Sequence, residues 1–306
     1  MSAIEEDIAS TPAIARQTID RVDEQGRVVA EVLRGPVVFL GSGSSYRIGV
    51  AAASLYEAER GQPAQSLLGS EYLPRPSWTH VAISRTGKTT ELVDAMRRAR
   101  DAGASCILIG GEPGSPAEEQ ADVVLALEFA PETSVVQTRF ISAAVLALRL
   151  LIGGESSRRS LQDLPERLER GLAEFEPEQF IPFEHVVFLG RGWRHGLALA
   201  AALNLQETAL MVPEAHQTLD YRHGPIASAE EGTLVWCFDP QDDRESAAVL
   251  EDVRRTGATV RSSSEDPQVM LAQAQLLAAR KAVSRGIDPE APRHLTRAIV
   301  LPGAEG

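Results

Sequence analysis

The chain has 306 residues, 43% of them apolar, and a formal net charge of −13 at pH 7. That length holds one large or two medium domains, and the apolar content suffices for two cores. The acidic balance argues against nucleic acid and an anionic membrane surface as partners, and no uninterrupted apolar run reaches the ~18 residues of a membrane span.

The start, Met1-Ser2-Ala3-Ile4-Glu5-Glu6-Asp7, has neither the basic nor the apolar region of a secretory leader. Residues 8–33 carry a helical pattern, with Thr11-Pro12 as the expected cap and first-turn proline. Val37-Val38-Phe39-Leu40 is a buried-strand run that enters the turn Gly41-Ser42-Gly43-Ser44-Ser45-Tyr46 and then a helix from Ile48. Trp78 to Ser84 is a second apolar strand, followed by the turn Ser84-Arg85-Thr86-Gly87-Lys88-Thr89 and a helix from Thr90 to Arg100. Strands are expected at 105–110 and 123–129, and a polar stretch from Glu132 leads into an apolar helix ending near Gly153-Gly154. Continuous apolar strands alternating with helices predict an α/β fold with a parallel sheet covered on both faces.

The same order then returns. Val186-Val187-Phe188-Leu189-Gly190-Arg191-Gly192 repeats the opening strand and turn with one change, Ser42 to Arg191. Strands are expected at 185–190, 233–238 and 259–262, with helices at 194–209, 243–255 and 268–284; Arg297 to Leu301 reads as a last strand or an extended tail. A repeat of this length implies duplication of a whole domain. The expected organisation is a helical segment 1–33, a first domain 34–154, a linker helix 155–178 and a second domain 179–306. Cys106 and Cys237 sit inside apolar runs and read as buried free thiols of a reduced, cytoplasmic compartment.

In an open parallel sheet, ligands bind at the carboxyl ends of strands, over helix N-termini. The turns at Gly43 and Ser84 both fit that place. A dinucleotide reading falters because Tyr46 stands where the third glycine belongs and no acidic residue ends the run Ala64 to Leu68. A P-loop reading of Ala82 to Thr89 falters because Ile83-Ser84 still reads as strand, which leaves the loop too short. A sugar-phosphate reading fits better: Ser45, Ser84, Thr86 and Thr89 are hydroxyl donors suited to a small phosphate, with no metal or cofactor called for. Helix capping accounts for one hydroxyl per turn, not four on two turns.

These residues resemble the double sugar-isomerase (SIS) domain family. The likeness is strongest to the isomerase part of glucosamine-6-phosphate synthase and to free-standing amino-sugar-phosphate deaminases and isomerases. It rests on Gly43-Ser44-Ser45-Tyr46, Ser70-Glu71-Tyr72, Ser84 to Thr89, the segment Glu132 to Arg139, Asn204-Leu205-Gln206-Glu207, Glu214-Ala215-His216 and Tyr221-Arg222-His223-Gly224-Pro225. The resemblance implies two tandem doubly wound, flavodoxin-like domains and a hexose or amino-hexose 6-phosphate substrate. It implies that Ser45, Ser84, Arg85, Thr86 and Thr89 bind the phosphate. Gly43, Ser44, Val135, Gln137, Asn204 and Thr296 would complete the substrate site. Glu207 would move a proton between C1 and C2, and His223 would assist ring opening from a partner subunit of a homodimer. His216 and His294 lie near the expected site segments.

Two departures qualify that picture. The family's Schiff-base lysine falls at Arg297, in Pro292-Arg293-His294-Leu295-Thr296-Arg297. A guanidinium stays protonated and cannot act as an amine nucleophile. Of the 30 Lys and Arg residues only Lys88 and Lys281 are lysines, and neither is placed to substitute. The second departure is that no glutaminase segment or N-terminal cysteine is read, so the expected chemistry is isomerisation or hydrolytic deamination without glutamine. A non-catalytic sugar-phosphate sensor is the alternative.

Overall fold

The computed structural model describes residues 1–301; residues 302–306, the end of the expected second domain, lie outside the described residues. Helices α1 (Ala3–Ala9) and α2 (Thr11–Val32) precede the first strand. Thr11 is not the cap of α2: Ser10 holds that place, Thr11 is already helical, and its hydroxyl donates to Ile8 O at 2.6 Å.

The first sheet contains β1 (Val37–Gly41), β2 (Ala64–Leu68), β3 (Thr79–Ser84), β4 (Cys106–Gly110) and β5 (Val123–Ala126) in the order β2-β1-β3-β4-β5, all parallel. Helices α3 (Ser44–Arg60), α4 (Thr90–Asp101) and α5 (Arg139–Leu161) connect and cover it. The glycine pair marks a break, not an end. Gly154 sits at φ 63°, ψ −151° inside α5, and the chain continues as helix to Leu161 before α6 (Leu164–Ala173). The linker region is therefore two helical pieces and not one. Helix α5 is long and apolar enough to span a membrane, and 67% of its most apolar window is buried within this chain.

The second sheet contains β6 (His185–Gly190), β7 (Glu214–Gln217), β8 (Thr233–Cys237) and β9 (Thr259–Ser262), parallel, in the order β7-β6-β8-β9. Helices α7 (Trp193–Ala209), α8 (Arg244–Arg255) and α9 (Pro267–Ser284) accompany it. Strand β7 is absent from the sequence expectation: Glu-Ala-His-Gln carries no apolar pattern. Among the described residues beyond α9 the tail contains no strand. The tail crosses to the first half, where Thr90 N–H donates to Ile299 O at 3.1 Å.

Strand alternation explains the layering. Val37 and Phe39 face inward with Ile48, Phe140 and Leu197 in one core cluster that also takes Phe188, Trp236 and Leu277 from the second half. Val38 and Leu40 face outward into a separate core under α4, and Val187 and Leu189 into another under α8. The halves thus share their inner core, with α3 packed on α7, and keep their outer cores apart.

The two glycine turns are alike in backbone. Gly43 has φ 55°, ψ −127° and Gly192 has φ 53°, ψ −129°, a region that strongly favours glycine. A side chain at Gly41 would put its Cβ 2.7 Å from the backbone of Ser45 and Tyr46, so the strand can turn into the helix this closely only without one.

Candidate active site

The first sheet reverses its winding between β1 and β3, and the crevice at such a switch point is where open parallel sheets take ligands. A cleft of about 290 Å³ opens there, with Ser42, Ser45, Thr86, Thr89, Gln137 and Arg297 among its lining, together with Ser84 and Arg85. Larger clefts of about 590 and 530 Å³ lie by Phe175 and Arg261 and by Asp239 and Arg254. Neither gathers the residues singled out from sequence.

The hydroxyls are left available. Thr89 is the N-cap of α4 but makes no side-chain capping bond, and Gly43, with no side chain, holds that place in α3. Ser84 Oγ accepts from Gly87 N–H at 2.9 Å, and Thr86 Oγ1 accepts from Lys88 N–H at 3.3 Å, so each keeps its own proton to donate. Ser44 and Ser45 are buried in the first turn of α3. Capping therefore does not account for these side chains.

Arg85, expected to bind phosphate, lines the cleft but is largely engaged by the protein itself. It is 3% exposed, and its terminal nitrogens are consumed by the protein: Nη1 donates to Glu132 Oε2 and Ser134 O, both at 3.1 Å, and Nη2 to Val135 O at 3.0 Å and Arg297 O at 3.4 Å. Only Nε is left, buried and without a partner. Val135 thus contributes its carbonyl to Arg85. Gln137 lines the cleft with a buried side-chain oxygen that also lacks a partner. Its main-chain oxygen accepts from Asn204 Nδ2 at 3.2 Å.

That bond ties the cleft to α7, where Glu207 follows Asn204 by less than one turn. Glu207 is half-buried, and burial pushes its carboxyl up to about 7, against the opposing pull of Arg47 and Arg85. Arg47 is a residue the sequence reading passed over. It stands in the first turn of α3, donates to Gly43 O at 3.0 Å, and is itself lowered by burial while Glu207 favours its charge. A carboxyl poised near neutrality suits a group that must both take and return a proton.

Arg297 reaches the cleft from the tail. Its Nη1 donates to Glu132 O, and Nη2 pairs with Glu112 Oε1 at 3.2 Å. Lys88 also pairs with Glu112, at 2.7 Å. Thr296 turns away: its hydroxyl donates to Ala298 O, and it is exposed. His223 is exposed in the 3-10 turn Asp220–His223 and does not line the cleft of its own chain. His216 is bound to Glu214 at 2.7 Å, on the same carboxylate as His185, and His294 is exposed on the tail. Tyr72 packs in the outer core and bonds His80 at 3.0 Å. Lys281 is buried on carbonyls of 181 and 183 and on Glu184.

In the second half the corresponding place is filled from within. Register pairs Leu40 with Ala82 and Leu189 with Cys237, so Asp239 occupies the position of Ser84. Its buried carboxylate accepts from Arg191 N–H at 2.7 Å, Thr218 Oγ1 at 2.6 Å and Ser246 Oγ at 2.8 Å.

Comparison with known proteins gives the same direction. The SIS domain family model matches residues 34–152. The chain is 28% identical, over 92% of its length, to the glutamine–fructose-6-phosphate aminotransferase [isomerizing] of Symbiobacterium thermophilum. It spans about half the length (54%) of that relative. Its structure is similar to that of glucosamine-6-phosphate deaminase from Thermotoga maritima, with a TM-score of 0.82, 25% identity, and coverage of 98% of this chain and 100% of the other. The fold also matches tagatose-6-phosphate ketose/aldose isomerase from Escherichia coli, with a TM-score of 0.83 at 19% identity over 99% and 97% of the two chains.

Proposed function

We propose, with the SIS domain at residues 34–152 as premise, that this chain interconverts or deaminates a hexose or amino-hexose 6-phosphate by proton transfer between C1 and C2. The observation that carries the proposal is the set of hydroxyls of Ser45, Ser84, Thr86 and Thr89 at the β1/β3 switch point, each with its proton free to donate, with the Glu207 carboxyl, pushed up to about 7, within electrostatic reach of the cleft residue Arg85. The hydroxyls and the amides of the two turns would hold the phosphate. Glu207 as carboxylate would take the proton from C2 of the open-chain aldose, leaving an enediol, or an enolamine if C2 bears nitrogen. Returned to C1, that proton gives the ketose or a ketimine, and water then releases ammonia from the ketimine. No covalent amine is needed, which agrees with Arg297 at the tail position. We further infer that the halves arose by duplication, given their matching turns and strand orders. We also infer that two copies share their sites, His223 reaching a neighbouring chain.

The test is ammonia and ketose-phosphate formation from glucosamine 6-phosphate, beside fructose 6-phosphate and the unphosphorylated sugars. Turnover or binding should require the 6-phosphate. Ser45→Ala should weaken it by roughly 1.5–3 kcal/mol, about 10- to 150-fold in affinity. Equal binding of free and phosphorylated sugar overturns the assignment. Binding with no turnover on any hexose 6-phosphate leaves a sensor.

A further inference from the structure

The three residues Glu132, Arg85 and Arg297 close a ring at the wall of the cleft, which Arg85 and Arg297 line. Arg85 Nη1 bonds the Glu132 carboxylate at 3.1 Å, Arg85 Nη2 bonds Arg297 O at 3.4 Å, and Arg297 Nη1 returns to Glu132 O. Glu132 is fully buried at its side chain. Its other oxygen accepts the backbone N–H of Thr138 at 2.5 Å, of Arg139 at 2.6 Å and of Phe140 at 3.3 Å. These N–H groups at the start of α5 have no intrahelical partner, so the Glu132 carboxyl occupies the place of an anion at a helix N-terminus, where burial pushes it up and Arg85 and the Thr138 N–H pull the other way. Between Glu132 and that helix start lies the loop that carries Val135 and Gln137, and Arg85 pins its carbonyls at 134 and 135.

We infer that Glu132, Arg85 and Arg297 form a positioning clasp, which fixes the loop 133–138 and lays the tail across the phosphate cleft. The inference rests on the sugar-phosphate reading of that cleft and deepens it: the guanidinium at the tail position serves to hold the wall, not to react. The ring also explains why Arg85, placed by sequence in a phosphate turn, offers the cleft only Nε. Four donors of a planar, permanently charged group suit a fixed joint better than a ligand contact that must form and break.

Arg297→Ala is the first test, because the tail is exposed and the core does not depend on it. It should raise KM for the hexose 6-phosphate turned over by the unaltered protein about 10-fold, the usual effect of losing a charge-assisted bond, while kcat moves less than about threefold. Amide exchange at 133–138 should accelerate by a similar factor. Arg297→Lys, which reaches one of the two partners, should recover part of both. Glu132→Gln keeps the shape of the cap and should also raise KM. The double variant should be no worse than the worse single one, because either change opens the same ring. Additive effects, a loss confined to kcat, or unchanged exchange at 133–138 in Arg297→Ala would each overturn the clasp. If the unaltered protein takes no sugar phosphate, the functional reading fails, and the exchange measurement alone still decides whether the clasp exists.

Discussion

Glu207→Gln is expected to keep sugar-phosphate binding and lose turnover by about 10² to 10⁴, the usual contribution of a positioned general base. Glutamine preserves the size and one oxygen of the side chain, and Asn204 still reaches Gln137 O from the same helix, so the cleft wall stays in place. In the unaltered protein, turnover should rise with pH through about 7 as the carboxyl ionises. His223 supplies a second check. It is exposed in its own chain, so an inactive His223→Ala chain mixed with an inactive Glu207→Gln chain should regain activity if sites are shared between copies. Measured initial rates decide both points. Full activity in Glu207→Gln removes the catalytic assignment, and no recovery on mixing removes the shared site.

The same substitution should stabilise the fold above neutral pH. Burial holds the proton on Glu207 up to about pH 7, whereas an unfolded glutamate releases it near 4.5. Between those values the folded state binds the extra proton, so the group contributes fully below 4.5 and its contribution is lost as pH rises through 7. A shift of that size corresponds to roughly 3 kcal/mol at pH 8. Glu207→Gln has no proton to lose. Chemical unfolding at pH 8 should therefore show the variant more stable by a figure of that order, with the gain vanishing toward pH 4. A gain independent of pH would assign the effect to packing. The proposed proton shuttle and the stability of its helix thus oppose one another, as expected where a desolvated environment is kept for chemistry.

The sheets were legible because parallel strands buried on both faces are written as unbroken apolar runs, and because Gly41, Gly43, Gly190 and Gly192 mark both turns. Strand β7 was not legible: its residues are half-buried or exposed at a sheet edge, and Glu214 and His216 are polar. The hydroxyls of the cleft could be read from two local turns, which is why Ser45, Ser84, Thr86 and Thr89 meet. Arg85 could not be read the same way. Its role depends on Glu132, Ser134, Val135 and Arg297, which folding alone brings to it. Arg47 escaped for a related reason. Its charge matters to Glu207 across the packing of α3 on α7, between halves far apart in sequence.

Asp239 gives the two halves different occupations. Where the first half leaves Ser84 beside an open cradle, the second carries the Asp239 carboxylate, already held by three donors. A phosphate arriving there would meet a like charge in a place whose hydrogen bonds are spent. The second half thus fills its own turn, and the one open cradle of this kind between the two lies in the first, where the proposed phosphate would face no competing site.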